Sequence, residues 1–183
     1  LLDNIRQTGV QETEAGGITQ KISFTKVPIK NIEERCPLIK KNNIKLDFPG
    51  FLFIDTPGHA AFSHLRKRGG SLADLAILVI DINEGIMPQT AEVIQILRLN
   101  KTPFVIALNK IDNISGWRKN SPDLKENIES QPMNTKMDFD EKLLTLIGSL
   151  QAHNFNAKLF YEITDFSNQL ALIPCSGKTG EGI

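Results

Sequence analysis

The chain has 183 residues, 40% of them hydrophobic and 23% charged, which is enough to bury the core of one soluble globular domain. Lys and Arg number 21 and Asp and Glu number 21, so net charge gives no evidence for or against nucleic-acid binding. No apolar run approaches the roughly 18–20 residues of a membrane span, so we expect no membrane partner. Cys36 and Cys175 lack metal-ligand spacing, and as free thiols they predict a reducing compartment, the cytoplasm.

The first part of the chain predicts a helix, a strand, a kinked helix and two strands around a turn. In order, these are a helix at 1–8, a polar loop at 12–19, a strand at 18–29, a helix at 31–41 kinked at Cys36-Pro37, and strands at 44–48 and 51–54. Pro49-Gly50 is a turn signal, so the last two strands are candidate hairpin or meander partners.

The rest of the chain alternates predicted strands and helices. In order, these are a helix at 60–70, a central parallel strand at 75–80, a helix at 88–99, a strand at 104–108, a surface loop at 113–134, a helix at 138–152 opened by a capping box, a short helix at 160–167 and a strand at 169–174. This alternation predicts an α/β domain with a mostly parallel sheet.

Polar segments follow three of the predicted strands. Asp55-Thr-Pro-Gly58-His59 follows the strand at 51–54, Asn109-Lys110-Ile-Asp112 follows that at 104–108, and Ser176-Gly177-Lys178 follows that at 169–174. Ligands bind at the carboxyl ends of strands in such sheets, so we expect these segments to meet at one rim of a common sheet. Each motif alone is weak evidence, because it occurs by chance in many proteins. The order of all three motifs, with the loop residue Thr19 ahead of them, is far more specific.

This order of motifs resembles that of the P-loop GTPases, and the residues within the motifs resemble those of the translational GTPases. The nearest resemblance is to the initiation factors of the five-B type, relatives of bacterial initiation factor two. The segments that carry it are 14–20, 59–70, 72–85, 88–90 and Gly116-Trp117. It covers nearly the whole chain, most loosely at 30–48 and 118–136, and implies one partial three-layer GTP-binding domain over 1–183.

The resemblance implies a guanine site. Asp112 would accept two hydrogen bonds from guanine, and adenine offers no such donor pair. Asn109 would brace the loop, the stem of Lys110 would lie along the base, and Ser176, Gly177 and Lys178 would form the second wall. The family usually has Ala at position 177, so Gly177 would keep the N–H and loosen the loop.

On the phosphate side, the resemblance implies that Thr19 and Asp55 hold Mg²⁺ and that the Gly58 N–H contacts the γ-phosphate of GTP. His59 would orient the attacking water. Ordering of the Thr19 loop and of 55–70 by GTP, and their release in the GDP state, is the switch of this family. The implied partners are the two ribosomal subunits and, through other domains, initiator tRNA.

The sequence contains no G-x-x-x-x-G-K-[ST] motif, which in the family lies before a helix like that at 1–6. We therefore expect a domain fragment without the first strand, the phosphate loop and the last helix, and only weak nucleotide binding by the chain alone. The alternative is a pseudo-GTPase that serves as a binding scaffold.

Several residues also have simpler interpretations. Asp55 and Asp112 could cap turns, and Thr19 and His59 could be ordinary loop residues. The basic run 66–68 could contact ribosomal RNA or end a solvated helix. Trp117 could anchor its loop or stack on a ligand.

Overall fold

The computed structural model describes residues 1–6, 22–56 and 73–183. Thr19, Gly58, His59 and the predicted helix at 60–70 lie outside the described residues. No helix in the described part of the chain is both long enough and apolar enough to cross a membrane.

The described residues form six helices and six strands. The helices are Leu2–Arg6 (α1), Ile29–Arg35 (α2), Pro37–Lys41 (α3), Pro88–Leu99 (α4), Leu124–Glu129 (α5) and Met133–Ala152 (α6), with 3-10 turns at Ile111–Asn113 and Phe160–Glu162. The strands are Ser23–Pro28 (β1), Gly50–Asp55 (β2), Ala76–Asp81 (β3), Phe104–Asn109 (β4), Ala157–Leu159 (β5) and Leu170–Pro174 (β6). The predicted kink at Cys36-Pro37 is confirmed, since Cys36 separates α2 from α3.

Four strands form a parallel sheet in the order β3–β4–β6–β5. This confirms the predicted α/β class and its parallel sheet. Asp81 pairs with Asn109 across β3 and β4, and Leu108 pairs with Pro174 across β4 and β6. The residues that follow β3, β4 and β6 therefore leave the sheet at the same end.

The core lies between this sheet and α6. Ile106, Leu108 and Leu172 of the central strands are fully buried, as are Phe139 and Leu150 of α6. Apolar residues recur along α6 at a spacing of three or four, so one face of the helix packs into the core. A rigid sheet with buried central strands fixes the positions of the loops at its carboxyl end.

Asp55 ends a strand of a different sheet, which corrects two predictions. β2 pairs antiparallel with β1, from Gly50 opposite Pro28 to Asp55 opposite Ser23, in a separate two-stranded sheet. Its partner is therefore not the segment 44–48, in which the structure has no strand. Among the described residues, Asp55 also does not share a common sheet with Asn109 and Ser176, because β2 pairs with β1 and not with β3.

β3 was predicted as a central strand, but it is an edge strand of the four-stranded sheet in the described residues. Leu78 and Ile80 are buried, whereas Ile77 and Val79 are 42% and 47% exposed. A continuous apolar run does not by itself distinguish a strand covered on both faces from one covered on a single face.

The segment 113–134 is not a continuous loop. It contains α5, whose first residues donate to the Asp123 carboxylate, and α6 begins at Met133 rather than at 138. Asp138 consequently lies inside α6, where it pairs with Lys142 one turn on, so the predicted capping box is wrong. The predicted helix at 160–167 is a single 3-10 turn, and the short strand β5 was missed.

Replacing Leu150 with Ala should lower the free energy of unfolding by about 2–5 kcal/mol, since it leaves a cavity in the core. Leu144 lies on the same helix but is 67% exposed, so Leu144→Ala is the matched control and should change it by no more than about 0.5 kcal/mol. Urea unfolding followed by circular dichroism measures both. Equal losses would contradict the assigned packing face of α6.

Candidate functional site

The carboxyl ends of β4 and β6 are joined by three hydrogen bonds. The Cys175 N–H donates to the Leu108 carbonyl at 2.8 Å, and the Ile111 N–H donates to the Cys175 carbonyl at 3.3 Å. Between them, the Asn109 side-chain oxygen accepts from the Gly177 N–H at 2.9 Å. The two segments that the sequence identified as walls of one site are therefore directly bonded to each other.

Lys110 turns the chain sharply after β4. Its φ of 65° lies in the left-handed region, which costs a residue with a side chain about 1–3 kcal/mol. The surrounding bonds offset this cost. The Asn113 N–H donates to the Lys110 carbonyl at 3.0 Å and begins the turn that contains Asp112, and the Asn83 side-chain amide donates to the same carbonyl at 3.3 Å. Asp112 is half-buried beside the end of the sheet.

The Lys110 side chain is held by Asp81. Its ammonium lies 2.9 Å from Asp81 Oδ2, with the lysine side chain 51% and the aspartate side chain 15% exposed. Partial burial alone would raise the pKa of Asp81, but hydrogen bonds from Lys110 and Asn83 outweigh it, so the pKa lies below its ordinary value of 3.8. The hydrogen bond to Asp81 and its charge raise the pKa of Lys110 above 10.5.

The buried side chain of Ser176 holds the turn that follows β6. It is fully buried, and its hydroxyl oxygen accepts from the backbone N–H groups of Lys178 and Thr179 at 3.2 and 3.0 Å. The Gly180 N–H also donates to the Ser176 carbonyl at 2.9 Å. These bonds curl the segment after β6 into a closed turn with the Gly177 N–H at its start.

Gly177 permits close packing of α1 against this turn. A Cβ at this position would lie 2.8 Å from the Leu1 nitrogen, closer than such atoms approach, and the Asn4 side-chain amide donates to the Gly177 carbonyl at 3.4 Å. Glycine here therefore has a packing role in addition to any loosening of the loop.

Cys175 lies beside this turn but is no nucleophile. It is 1% exposed, and burial raises the pKa of its thiol to about 12. The reactive thiolate is therefore not formed near neutral pH. Packing at the strand end accounts for this residue.

The structure brings together six of the predicted site residues and separates one. The six are Asn109, Lys110, Asp112, Ser176, Gly177 and Lys178. Asp55 ends β2 in the other sheet, and Thr19, Gly58 and His59 lie outside the described residues. Trp117 is a loop anchor, as the simpler interpretation held: its ring lies 5.7 Å from that of Phe139, and its indole N–H donates to Glu181.

Asp81 and Glu181 are two residues that the sequence reasoning missed. Asp81 had a usable signal, because it follows an apolar strand just as Asn109 does. Glu181 had none, since a glutamate between two glycines reads as an exposed loop residue, yet it is only 6% exposed.

The sequence matches the family described as "Elongation factor Tu GTP binding domain" over residues 4–183. The chain belongs to this family. It is 50% identical over 186 residues to the "Probable translation initiation factor IF-2" of Methanopyrus kandleri, and 54% identical over 188 residues to that of Thermococcus sibiricus. Each alignment covers 100% of the chain and 31% of the relative. The chain thus spans about a third of the length of these curated relatives.

The crystal structure of GDP-bound aIF5B from Aeropyrum pernix is also similar, with a TM-score of 0.79 and 46% identity over 99% of this chain and 31% of that one. The elongation factor SelB of Methanococcus maripaludis, in complex with the GTP analogue GPPNHP, shares the fold at a TM-score of 0.55 and 22% identity, over 90% of this chain and 26% of that one. The predicted family, a translational GTPase domain of the aIF5B and IF-2 type, is confirmed.

Replacing Asp81 with Asn should lower the free energy of unfolding at pH 7 by roughly 0.2–1 kcal/mol, because Lys110 loses its partner in a partly exposed pair. The pKa of Asp81 is lowered on folding. Its contribution to the free energy of unfolding is therefore present above pH 3.8 and is lost as the pH falls through the lower pKa that Asp81 has in the folded protein. The difference between variant and wild type should therefore shrink below pH 3.8.

Urea unfolding at a series of pH values measures this difference. Glu84→Gln is the control, since Glu84 acts on Lys110 only through its charge. A difference that stays constant down to the lowest pH would show that the ion pair is not its source.

Proposed function

We propose that this domain binds GTP and GDP, with the guanine base between the ends of β4 and β6, in an initiation factor that hydrolyses GTP. The observation that carries the proposal is the 2.9 Å bond between the Asn109 side-chain oxygen and the Gly177 N–H. It joins the two segments whose motifs match the base-binding loops of GTPases, which the family match to a GTP-binding domain also supports.

Asp112 gives the site its preference for guanine. An ionised carboxylate only accepts hydrogen bonds, and guanine offers two adjacent donors, the ring N1–H and the exocyclic amine. Adenine would leave the carboxylate without these donors, which costs binding free energy in a desolvated site. The half-buried position of Asp112 in a bonded turn supports this role.

Lys110 covers one face of the base. Its ammonium is fixed on Asp81, so the aliphatic stem has both ends anchored, and the side chain is still 51% exposed. An anchored stem presents apolar surface to a planar ring at a reduced cost in side-chain entropy. Ser176, Gly177 and Lys178 form the opposite wall.

The phosphate side is proposed from the family resemblance. Thr19 and Asp55 would hold Mg²⁺, and their hydroxyl and carboxylate oxygens are the donor types that this ion prefers. When bound, the ion would neutralise phosphate charge. The Gly58 N–H would contact the γ-phosphate, and His59 would orient the attacking water.

Beyond the domain, we propose that the whole protein acts on the ribosome, where GTP hydrolysis accompanies subunit joining and initiator tRNA placement. The names of the IF-2 relatives support a role in translation initiation. They also favour an active GTPase over the alternative of a pseudo-GTPase scaffold.

In the complete natural protein, Asp112→Asn should weaken GDP binding by roughly 10–100-fold and strengthen binding of xanthosine diphosphate, because the side chain becomes in part a donor. Competition of GDP, ADP and xanthosine diphosphate against a fluorescent GDP measures the preference. Wild-type protein without a preference for GDP over ADP would contradict the proposed function. Unchanged selectivity in the variant would remove Asp112 from the base site.

His59→Ala should slow ribosome-stimulated GTP hydrolysis by roughly 100-fold or more while GTP affinity changes little, since the water is positioned but the nucleotide contacts remain. Phosphate release with and without ribosomes, alongside GTP titration, separates the two quantities. His64→Ala is a control on a second histidine. Parallel loss of affinity and hydrolysis would contradict the assigned role.

A further inference from the structure

Glu181 is a buried carboxylate surrounded by neutral donors. It is 6% exposed, and its Oε1 accepts from the Trp117 indole N–H at 3.1 Å and from the Asn127 side-chain amide at 2.9 Å. The Thr179 hydroxyl donates to its Oε2. A buried carboxylate is costly unless such bonds satisfy it, so Glu181 and its three donors hold one another in place.

The partners of Glu181 require an acceptor at this position. The Trp117 indole can only donate. Asn127 is 1% exposed, and its side-chain oxygen already accepts from the backbone N–H groups of Asn120 and Ser121 at 2.7 and 3.2 Å. Its amide nitrogen therefore faces Glu181. An apolar side chain at 181 would leave the buried Asn127 amide and the partly buried Trp117 indole N–H without this acceptor.

Glu181 also closes the turn that begins at Ser176. Its backbone carbonyl accepts from the Ser176 N–H at 2.9 Å. Gly182 follows at a φ of 70°, and a Cβ there would lie 2.1 Å from the Pro174 carbonyl oxygen. The backbone thus passes tightly under the end of β6, and the Glu181 side chain leaves this turn toward the segment after β4.

That segment is bonded back to the turn containing Asp112. The Trp117 N–H donates to the Ile114 carbonyl at 3.0 Å, and the Ile114 N–H donates to the Ile111 carbonyl at 3.1 Å. The Lys119 ammonium adds a bond to the Thr179 carbonyl at 3.0 Å. A continuous chain of hydrogen bonds therefore runs from the Asp112 turn through Trp117 and Glu181 to the Ser176 turn.

We propose that Glu181 is a positioning residue for guanine recognition. Through Trp117 and Asn127 it holds the turn that carries Gly177 at a fixed separation from the turn that carries Asp112. This inference rests on the proposed function, because the two turns are the walls of the proposed base site. The Asn109–Gly177 bond joins the walls at the sheet, and the Glu181 network joins them a second time through residues farther along the chain.

The test uses three substitutions in the complete natural protein. Glu181→Gln keeps an oxygen for Trp117 and Asn127, and its amide can donate to the Thr179 hydroxyl. Glu181→Leu removes every acceptor at similar size. Trp117→Phe removes one donor but retains an aromatic ring against Phe139. Leu150→Ala is the control, since it removes core packing near the end of α6 and no hydrogen bond of the Glu181 network.

Dissociation of fluorescent GDP, measured by stopped flow, is the main readout, with the thermal midpoint recorded for every variant. We expect Glu181→Leu to release GDP about tenfold faster, Trp117→Phe several-fold faster and Glu181→Gln within about threefold of wild type. The effects of Glu181→Leu and Trp117→Phe should be less than multiplicative when combined, because both act on one network. Leu150→Ala should lower the thermal midpoint and leave GDP release unchanged.

Trp117 is the single tryptophan of this chain, and comparison with Trp117→Phe isolates its emission within the complete protein. The tryptophan fluorescence that is lost in Trp117→Phe should change in wavelength in Glu181→Leu and not in Glu181→Gln. Unchanged GDP release in folded Glu181→Leu would overturn the proposal. If that variant does not fold, unchanged release in Trp117→Phe would overturn it, as would equal acceleration by Leu150→Ala.

These outcomes are separable from failure of the proposed function. Wild-type protein that does not prefer GDP to ADP removes both proposals. A wild type that prefers GDP, together with variants that release it at the normal rate, removes only the role of Glu181.

Discussion

The bond from the Gly177 N–H to the Asn109 side-chain oxygen is the contact on which the site depends. It fixes the ends of β4 and β6 against each other, 68 residues apart in sequence, where parallel pairing of the two strands stops. The left-handed Lys110 and the Ser176 turn are local conformations, and this bond helps to set the distance between them. Two acidic residues support these conformations. Asp81 binds the Lys110 side chain, and Glu181 closes the turn that begins at Ser176.

Much of the parallel sheet could be predicted because its strands are short, apolar and followed by polar residues. β4, β6 and α4 were found nearly to the residue, and the polar motifs that follow β4 and β6 lie at the same end of the sheet, as predicted. The errors have physical causes. α5 is a six-residue helix fixed by Asp123, and Asp138 resembled a cap because its spacing to Glu141 also occurs inside a helix. β1 and β2 pair across an intervening segment that turn signals do not reveal.

The buried polar network was beyond sequence reasoning for a different reason. Periodicity identifies which apolar residues face a core, but it does not say which carboxylate is drawn inside by several donors. Glu181 is buried because Trp117 and Asn127, from a distant part of the chain, present N–H groups to it. Asp81 was easier to find than Glu181, because it ends an apolar strand as Asn109 does, but it belongs to none of the motifs that the sequence analysis used.

The sequence separation of Asn109 and Gly177 has a consequence for synthesis on the ribosome. β4 emerges from the exit tunnel well before β6, and at elongation rates of about 5–20 residues per second the delay is on the order of seconds. During that time one side of β4 has no partner strand. Under the proposed function, base recognition would become possible only after the segment that includes Gly177 has left the tunnel.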